Sequence, residues 1–267
     1  MNDRNQTRVP DPKAYAERLG LEWPLAPTLE NLNRIIQAHQ YNISFENIDC
    51  FDKGRIPYLD IDTLFHKVVV DGRGGYCFEL NALFNAFLHT VGYDSYPISC
   101  CILRGRDYVP PMLHRATIVV IDGRKFYCDI AYGGPQPAGA VPLGGTLTVL
   151  GERFLTGMDD DGMWHLDRFT SRGDLERVIG FWDAPMYESY FVPYNYYCAT
   201  NEDSLFRKVR ILNRRTPHGS VALNGNEVTE HRDGQVYRSV YDDPEELADV
   251  IRRVFGLNVT AEDLRGR

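Results

Sequence analysis

The sequence predicts an α+β fold: helices first, then an antiparallel β section, then a small mixed segment that closes the chain. Three observations carry this expectation. Apolar residues recur at helical spacing as far as Val91, short segments rich in Ile, Val, Tyr and Cys follow Tyr93, and a capped helix starts at Pro244.

Residues 11–92 read as mostly helical, with three or four short helices forming a bundle. Leu29, Leu32, Ile35, Ile36 and His39 repeat at three- and four-residue steps behind Thr28, a good N-cap. Residues 63–70 read as a second short helix. Phe78, Leu80, Leu83, Phe84, Phe87, Leu88 and Val91 trace one helical face, and Gly92 ends that helix. Segments 95–104, 115–121 and 124–130 read as strands, the last two joined by the hairpin turn Asp122-Gly123. Further strands are expected around 146–155, 163–169, 206–212, 219–223, 226–230 and 235–240. Asp242 or Asp243 caps a last helix over 244–255, with Pro244 at its first position and Glu245-Glu246 in its first turn. Asp159-Asp160-Asp161-Gly162 lacks the downstream ligands of a calcium loop and reads as an exposed turn.

Composition narrows the function. The chain has 267 residues, 43% hydrophobic and 25% charged, as an ordinary globular protein does, and it is long enough to bury a core without metal or disulfide staples. The longest aliphatic run, Ile118-Val119-Val120-Ile121, falls far short of the ~20 apolar residues of a membrane helix. Met1 to Lys13 is polar and lacks the apolar core of a secretory signal. Lys and Arg number 29 against 37 Asp and Glu, a net charge of −8, and no basic block exceeds two residues. A nucleic-acid partner or an anionic membrane surface would need concentrated positive charge, so neither is expected. The six cysteines are expected to be reduced thiols of a cytoplasmic protein, five of them small buried hydrophobes.

Cys77 has a setting that the other cysteines lack. In Arg73-Gly74-Gly75-Tyr76-Cys77-Phe78-Glu79-Leu80-Asn81 two glycines permit a sharp turn and a helix begins at once. Cys77 then sits at a helix N-terminus, where free N–H groups favour a thiolate. A nucleophilic cysteine needs a base, and a residue that orients the base. His114 opens the strand before Asp122-Gly123, and Asp129 closes the strand after it. On that hairpin, positions whose numbers sum to about 245 face one another, which brings His114 and Asp129 to the same open end. A carboxylate there can accept from the imidazole and fix its tautomer. Of the other histidines, His39 and His89 lie in helical patterns, and His165 alternates as a solvent-facing strand residue.

These residues resemble the arylamine N-acetyltransferases over nearly the whole chain. The likeness runs through Leu32…Ile35…His39…Ile43-Ser44-Phe45-Glu46-Asn47, is sharpest at Arg73 to Asn81, and continues through His114 and Asp129-Ile130-Ala131-Tyr132-Gly133-Gly134. It ends with Asn195…Ser204-Leu205-Phe206 and Arg215-Thr216-Pro217…Gly219. The resemblance implies a helical bundle (1–92), a β-barrel-like domain (93–195) and an α/β lid (196–267), with a cysteine-protease-like triad at the first interface. It implies Cys77 as acyl carrier, His114 as base and Asp129 as orienting acid, with no metal. It further implies that Arg73 and Glu46 pair to support the loop before Cys77, and that Phe45, Tyr132 and Phe206 lie near acceptor or donor. Gly133 and Gly134 would let a coenzyme phosphate approach the backbone, although a tight turn explains two glycines equally well. Ser44 stands where the family usually has Pro, Ala131 replaces a usual Gly, and Tyr132 replaces a usual Phe in the acceptor pocket.

The implied reaction is transfer of an acetyl group from acetyl-coenzyme A, through an acyl-Cys77 intermediate in ping-pong fashion, to the nitrogen of an arylamine or arylhydrazine. Two alternatives use the same triad: an amide synthase acting on a carrier-bound thioester, and a cysteine hydrolase or transglutaminase-like enzyme.

Overall fold

The computed structural model describes residues 7–264. Six helices and a two-residue strand account for most of the N-terminal part and its later return: α1 (Pro12–Arg18), α2 (Leu29–Asn42), β1 (Phe45–Glu46), α3 (Ile48–Phe51), α4 (Ile61–Phe65) and α5 (Cys77–Val91), with α6 (Phe191–Thr200) coming back much later. Asp11, Thr28 and Asp60 cap α1, α2 and α4 with side-chain oxygens. The segment expected as a helix over 63–70 is α4 followed by a wider π turn, His66–Val70.

The axis of this region is α5. Sequence spacing suggested one apolar face, but every residue from Cys77 to His89 is buried. The polar residues of its other side are buried with partners: Asn85 Oδ1 accepts from Ser95 Oγ at 2.9 Å, and His89 Nε2 meets the Ser95 carbonyl at 2.9 Å. Gly92 ends the helix with φ of 106°, a conformation that favours glycine.

Eight strands form the central sheet: β2 (Asp94–Ile102), β3 (His114–Ile121), β4 (Arg124–Cys128), β5 (Val141–Pro142), β6 (Thr146–Val149), β7 (Glu152–Met158), β8 (Trp164–Phe169) and β9 (Leu175–Phe181). Their order is β5-β4-β3-β2-β9-β8-β7-β6, antiparallel throughout. The sheet curls until its ends meet: the Thr156 N–H donates to the Gly145 carbonyl at 3.0 Å, and Thr156 Oγ1 to the Pro142 carbonyl at 2.8 Å. Ile98, Ala116, Ile118, Tyr127, Phe154 and Phe181 fill the interior, while Val119, Phe126 and Cys128 point the other way, into the helices. The single strand expected over 146–155 is two, because Leu150-Gly151 turns the chain with positive φ at both residues.

The remaining chain comprises α7 (Leu205–Lys208), β10 (Ile211–Thr216), β11 (Gly219–Asn224), β12 (Glu227–Arg232), β13 (Gln235–Val240) and α8 (Pro244–Val250), which ends in a π turn, Ile251–Phe255. Asp243, not Asp242, caps α8. The strand expected over 206–212 starts later: Ser204 Oγ accepts the Phe206 N–H at 3.3 Å and starts α7 instead. β1 joins the five-stranded sheet beside β10, pairing Phe45 with Asn213 and Glu46 with Leu212. Leu212, Val221 and Leu223 pack on Leu247, Ile251 and Phe255.

Candidate active site

The loop before Cys77 owes its shape to close packing. Neither Gly74 nor Gly75 has positive φ. A Cβ on Gly74 would lie 2.0 Å from the Ser44 carbonyl oxygen, and one on Gly75 would lie 3.0 Å from the Glu79 carboxylate. The glycines are thus required for close approach and not for a sharp turn. The Gly75 carbonyl accepts the Glu46 N–H at 2.9 Å, so β1 and this loop are stitched together.

Beneath the loop lies a buried ion cluster. Arg73 donates to Glu46 Oε1 from Nη2 at 2.7 Å and from Nε at 3.1 Å. Lys67 Nζ bridges Asp49 at 2.6 Å and Glu79 at 2.7 Å. The other Glu79 oxygen accepts the Tyr76 N–H at 3.1 Å, which anchors the start of α5. Burial pushes the Glu79 carboxyl up to about 7 against the pull of Lys67. Burial opposes ionisation of Asp49 as well, but Lys67 and Arg73 hold it down at about 2.

Cys77 is the first residue of α5 and is 2% exposed. All six cysteines are free and buried, so burial does not distinguish it. Burial also pushes its thiol well above the ordinary cysteine value, with Cys198 and Asp129 adding to the rise and the backbone of Arg115 and Phe78 opposing it. The backbone N–H groups at the start of α5 thus favour the thiolate, as expected of a helix terminus, while desolvation works against it.

The hairpin register is as the turn demands. Ile121 pairs with Arg124 and Thr117 with Cys128, so each pair sums to 245. The ladder stops there, and Asp129 folds back to place Oδ2 at 2.7 Å from His114 Nε2. Both side chains are almost fully buried. Asp129 collects three further donors: the Tyr127 hydroxyl at 3.0 Å, the Ala131 N–H at 3.0 Å and Asn81 Nδ2 at 2.9 Å. Although burial opposes it, His114 and these bonds hold the Asp129 carboxyl below its ordinary value. With Nε2 on the carboxylate, Nδ1 is the ring nitrogen that can take a proton.

Sequence reading passed over Asn81 and Tyr127. Asn81 lies four residues beyond Cys77, one helical turn along the same face, and that spacing was the available signal. Besides Asp129, its Nδ2 donates to the Arg115 carbonyl at 2.6 Å, and its Oδ1 accepts the Ile130 N–H at 3.3 Å. It ties α5 to β3 and to the segment that follows β4.

Tyr132 meets His114 edge to face, ring centroids 5.8 Å apart. Phe206 stands 6.2 Å from Phe45 and 5.1 Å from Tyr76. A Cβ on Gly134 would lie 2.8 Å from the Tyr132 ring, and one on Gly133, whose φ is 79°, 3.2 Å from Phe45. Ring packing and turn geometry thus account for both glycines. They also line an open cavity of about 650 Å³ that carries Arg104, Arg168, Arg214 and Arg215. Among the described residues no group of His, Cys, Asp and Glu is arranged to hold a metal ion, and no helix is long and apolar enough to cross a membrane. His165, expected to face solvent, is buried against Asp167 at 2.9 Å.

The family model for N-acetyltransferases matches residues 28–264. The chain belongs to the arylamine N-acetyltransferase family. It is an acetyltransferase by that membership. An arylamine N-acetyltransferase / N-hydroxyarylamine O-acetyltransferase of Salmonella typhimurium is 29% identical over 252 residues, covering 92% of this chain and 88% of that protein. One from Mycolicibacterium smegmatis is 27% identical over 261 residues, covering 95% and 93%. Among solved structures, the Nocardia farcinica arylamine N-acetyltransferase superposes with a TM-score of 0.85 at 28% identity, covering 98% of this chain and 94% of that one. The Salmonella typhimurium structure reaches 0.89 at 24% identity, covering 96% and 97%, a likeness of fold. The α+β architecture with its barrel-like sheet is that of the family.

Proposed function

We propose that the chain moves an acetyl group from acetyl-coenzyme A to the nitrogen of an arylamine or arylhydrazine through an acyl-Cys77 intermediate, with His114 as base and Asp129 as the residue that orients it. The observation that carries the reading is the Asp129 node: one carboxylate accepts from His114, Tyr127, Ala131 and Asn81, and Asn81 stands one turn beyond Cys77 on its helix. Four donors hold the carboxylate ionised in a buried place, which fixes the imidazole with Nε2 on Asp129 and its other nitrogen available as base.

Cys77 gives its proton to His114, and as the thiolate of that ion pair its sulfur attacks the thioester carbonyl. The new bond joins Cys77 Sγ to the acetyl carbon, and the coenzyme sulfur leaves with the proton from His114. In the second half-reaction the amine nitrogen attacks the acyl carbon, His114 takes its proton, and the thiol is restored. An arylamine suits this step because it is neutral near pH 7. The cavity with Arg104, Arg168, Arg214 and Arg215 fits the coenzyme phosphates: Glu176 and Glu152 are the carboxylates paired to these four arginines, leaving an excess of positive charge. Phe45, Tyr132 and Phe206 form the aromatic wall for acceptor or donor, and Arg73 with Glu46 supports the loop. No metal takes part in this reading, and the cytoplasm, where thiols stay reduced, is the compartment it suits.

Steady-state kinetics test the two half-reactions. Double-reciprocal plots at several acceptor concentrations are expected to be parallel. Intersecting lines would mean direct transfer in a ternary complex and would end the acyl-enzyme reading.

A further inference from the structure

Arg115, directly after His114 on β3, is wholly buried, guanidinium included. The guanidinium forks onto Glu188, Nη1 to Oε2 at 2.7 Å and Nη2 to Oε1 at 2.6 Å. It also lies over the Phe191 ring, 4.4 Å from the centroid. Glu188 belongs to a 3-10 turn, Glu188–Tyr190, that leads into α6. Residues three apart in such a turn share one side, so carboxylate and ring grip Arg115 together. The remaining nitrogen, Nε, is buried without a hydrogen-bond partner. A buried ion pair with an unmet donor gives little stability over an apolar replacement, so stability does not account for this charge.

Arg115 reaches Cys77 by its main chain and by the ring it sits on. The turn at Asp122-Gly123 aims the Arg115 N–H and C=O toward β4, but that ladder ends at Thr117 and Cys128. The Asn81 amide takes the place of the missing strand: Nδ2 donates to the Arg115 carbonyl at 2.6 Å, and Oδ1 accepts the Ile130 N–H at 3.3 Å. The Arg115 N–H is left for Cys77, whose ionisation the Arg115 backbone eases. On the other side, Phe191 packs on Phe78, the residue after Cys77, with centroids 6.2 Å apart. One ring thus packs against the neighbours of both His114 and Cys77. The segment that carries Glu188 is itself fastened to β2: the Met186 N–H donates to the Pro97 carbonyl at 2.9 Å, and Asp183 accepts from the Tyr96 hydroxyl at 2.6 Å.

We propose that Arg115 and Glu188 are positioning residues of the acetyl transfer: their pair, seated on Phe191, holds the start of β3 against the start of α5 and so sets how His114 meets the Cys77 sulfur. The proposal rests on the acyl-Cys77 reading above and adds two residues whose side chains act through others.

Glu188→Gln tests it most sharply, because charge and position predict opposite signs. The substitution keeps the shape of a partly exposed side chain and removes one negative charge. By charge alone the Cys77 thiol would ionise more readily, and its alkylation by iodoacetamide would shift to lower pH. Loosened positioning weakens the thiolate–imidazolium pair and shifts that profile up, by at least about half a pH unit, with single-turnover acetylation by acetyl-coenzyme A slowed at least about fivefold. Cys198 and Asp129, which raise the Cys77 thiol, are unchanged in this variant, so the shift reports the base. Arg115→Met leaves no unpaired charge in the core, so it should keep a urea midpoint near the wild type's and carries the same two readings if Glu188→Gln does not fold. Arg115→Lys keeps the charge but not the fork and should fall between. A profile that moves down or stays, an unchanged acetylation rate, or full rescue by Arg115→Lys would each overturn the positioning role while acetyl on Cys77 stands. Absence of acetyl on wild-type Cys77 would instead end the acyl-enzyme reading, and this proposal with it.

Discussion

The curled sheet carries two buried histidine–aspartate pairs, and only one of them has the surroundings of a catalytic site. His114 and Asp129 stand 2.7 Å apart; His165 and Asp167 stand 2.9 Å apart, both on β8. Around Asp129 the donors converge, and one of them, Asn81, comes from the helix that begins with Cys77. Around Asp167 the neighbours are charges: Arg177 lies at 3.4 Å, Asp159 reaches the far side of His165 at 3.5 Å, and Oδ1 has no hydrogen-bond partner. Gly157 faces the ring so closely that a Cβ would lie 2.6 Å from it, and Cys101, in the same row of the sheet, is separated from His165 by Gly180. The difference teaches that proximity of imidazole and carboxylate is not enough. What singles out His114 is a partner carboxylate that three further donors lock in place, one of them on the helix that begins with Cys77.

The sharpest way to break this comparison is to neutralise each carboxylate in turn. Asp129→Asn is expected to slow acetylation of the enzyme by roughly 10²–10³, less than the ~10⁴ known for the equivalent change in a serine protease, because a cysteine is intrinsically more nucleophilic. Asp167→Asn should stay within about twofold, since ordinary substitutions away from a site change little. Single-turnover measurements with acetyl-coenzyme A distinguish the two, and equal losses would mean that the pairs are equivalent.

Asn81→Ala sharpens the same point from the helix side. Removing the amide leaves the Arg115 carbonyl and one Asp129 bond unmet in a buried place, at a cost of about 1–3 kcal/mol in stability. Acetylation should fall by roughly tenfold in the folded protein, and an unaltered rate would show that the node does not position the base. By contrast, Gly157→Ala should cost about 1–3 kcal/mol through overpacking against His165 yet leave the rate per folded molecule unchanged. Thermal unfolding alongside activity separates these outcomes.

Acid stability offers the smallest effect. The folded-state Asp129 carboxyl lies below its unfolded value of about 3.9, so its ionised form stabilises the fold above that pH, and the contribution disappears as pH falls through the lower folded value. The stability gap between wild type and Asp129→Asn should therefore narrow below about pH 4. Urea titrations from pH 6 to pH 3 would show it, and a constant gap would contradict the charge account.

Much of this site was legible because it rests on local rules. Asp122 and Gly123 both take positive φ, the turn that two-residue hairpins prefer, and that turn alone sets which residues of β3 and β4 face one another. The start of α5 and its stop at Gly92 were equally local. What escaped depended on neighbours distant in the chain. β1 exists because β10, more than 160 residues later, pairs with it. The all-round burial of α5 follows from helices on one side and β2 and β3 on the other, which no single periodicity reveals. His165 alternates like a surface residue, yet the closing of the sheet buries it. The rise in the Cys77 thiol was hidden for the same reason, because a helix terminus is visible in sequence and desolvation is not.

The central claim is that Cys77 carries the acetyl group. Intact-mass measurement after mixing the protein with acetyl-coenzyme A, without acceptor, followed by peptide mapping, tests it most directly. The account predicts one added acetyl group, on the peptide containing Cys77, absent in Cys77→Ser and discharged when an arylamine is added. No adduct, or an adduct on the peptides of Cys100, Cys101 or Cys128, would contradict it.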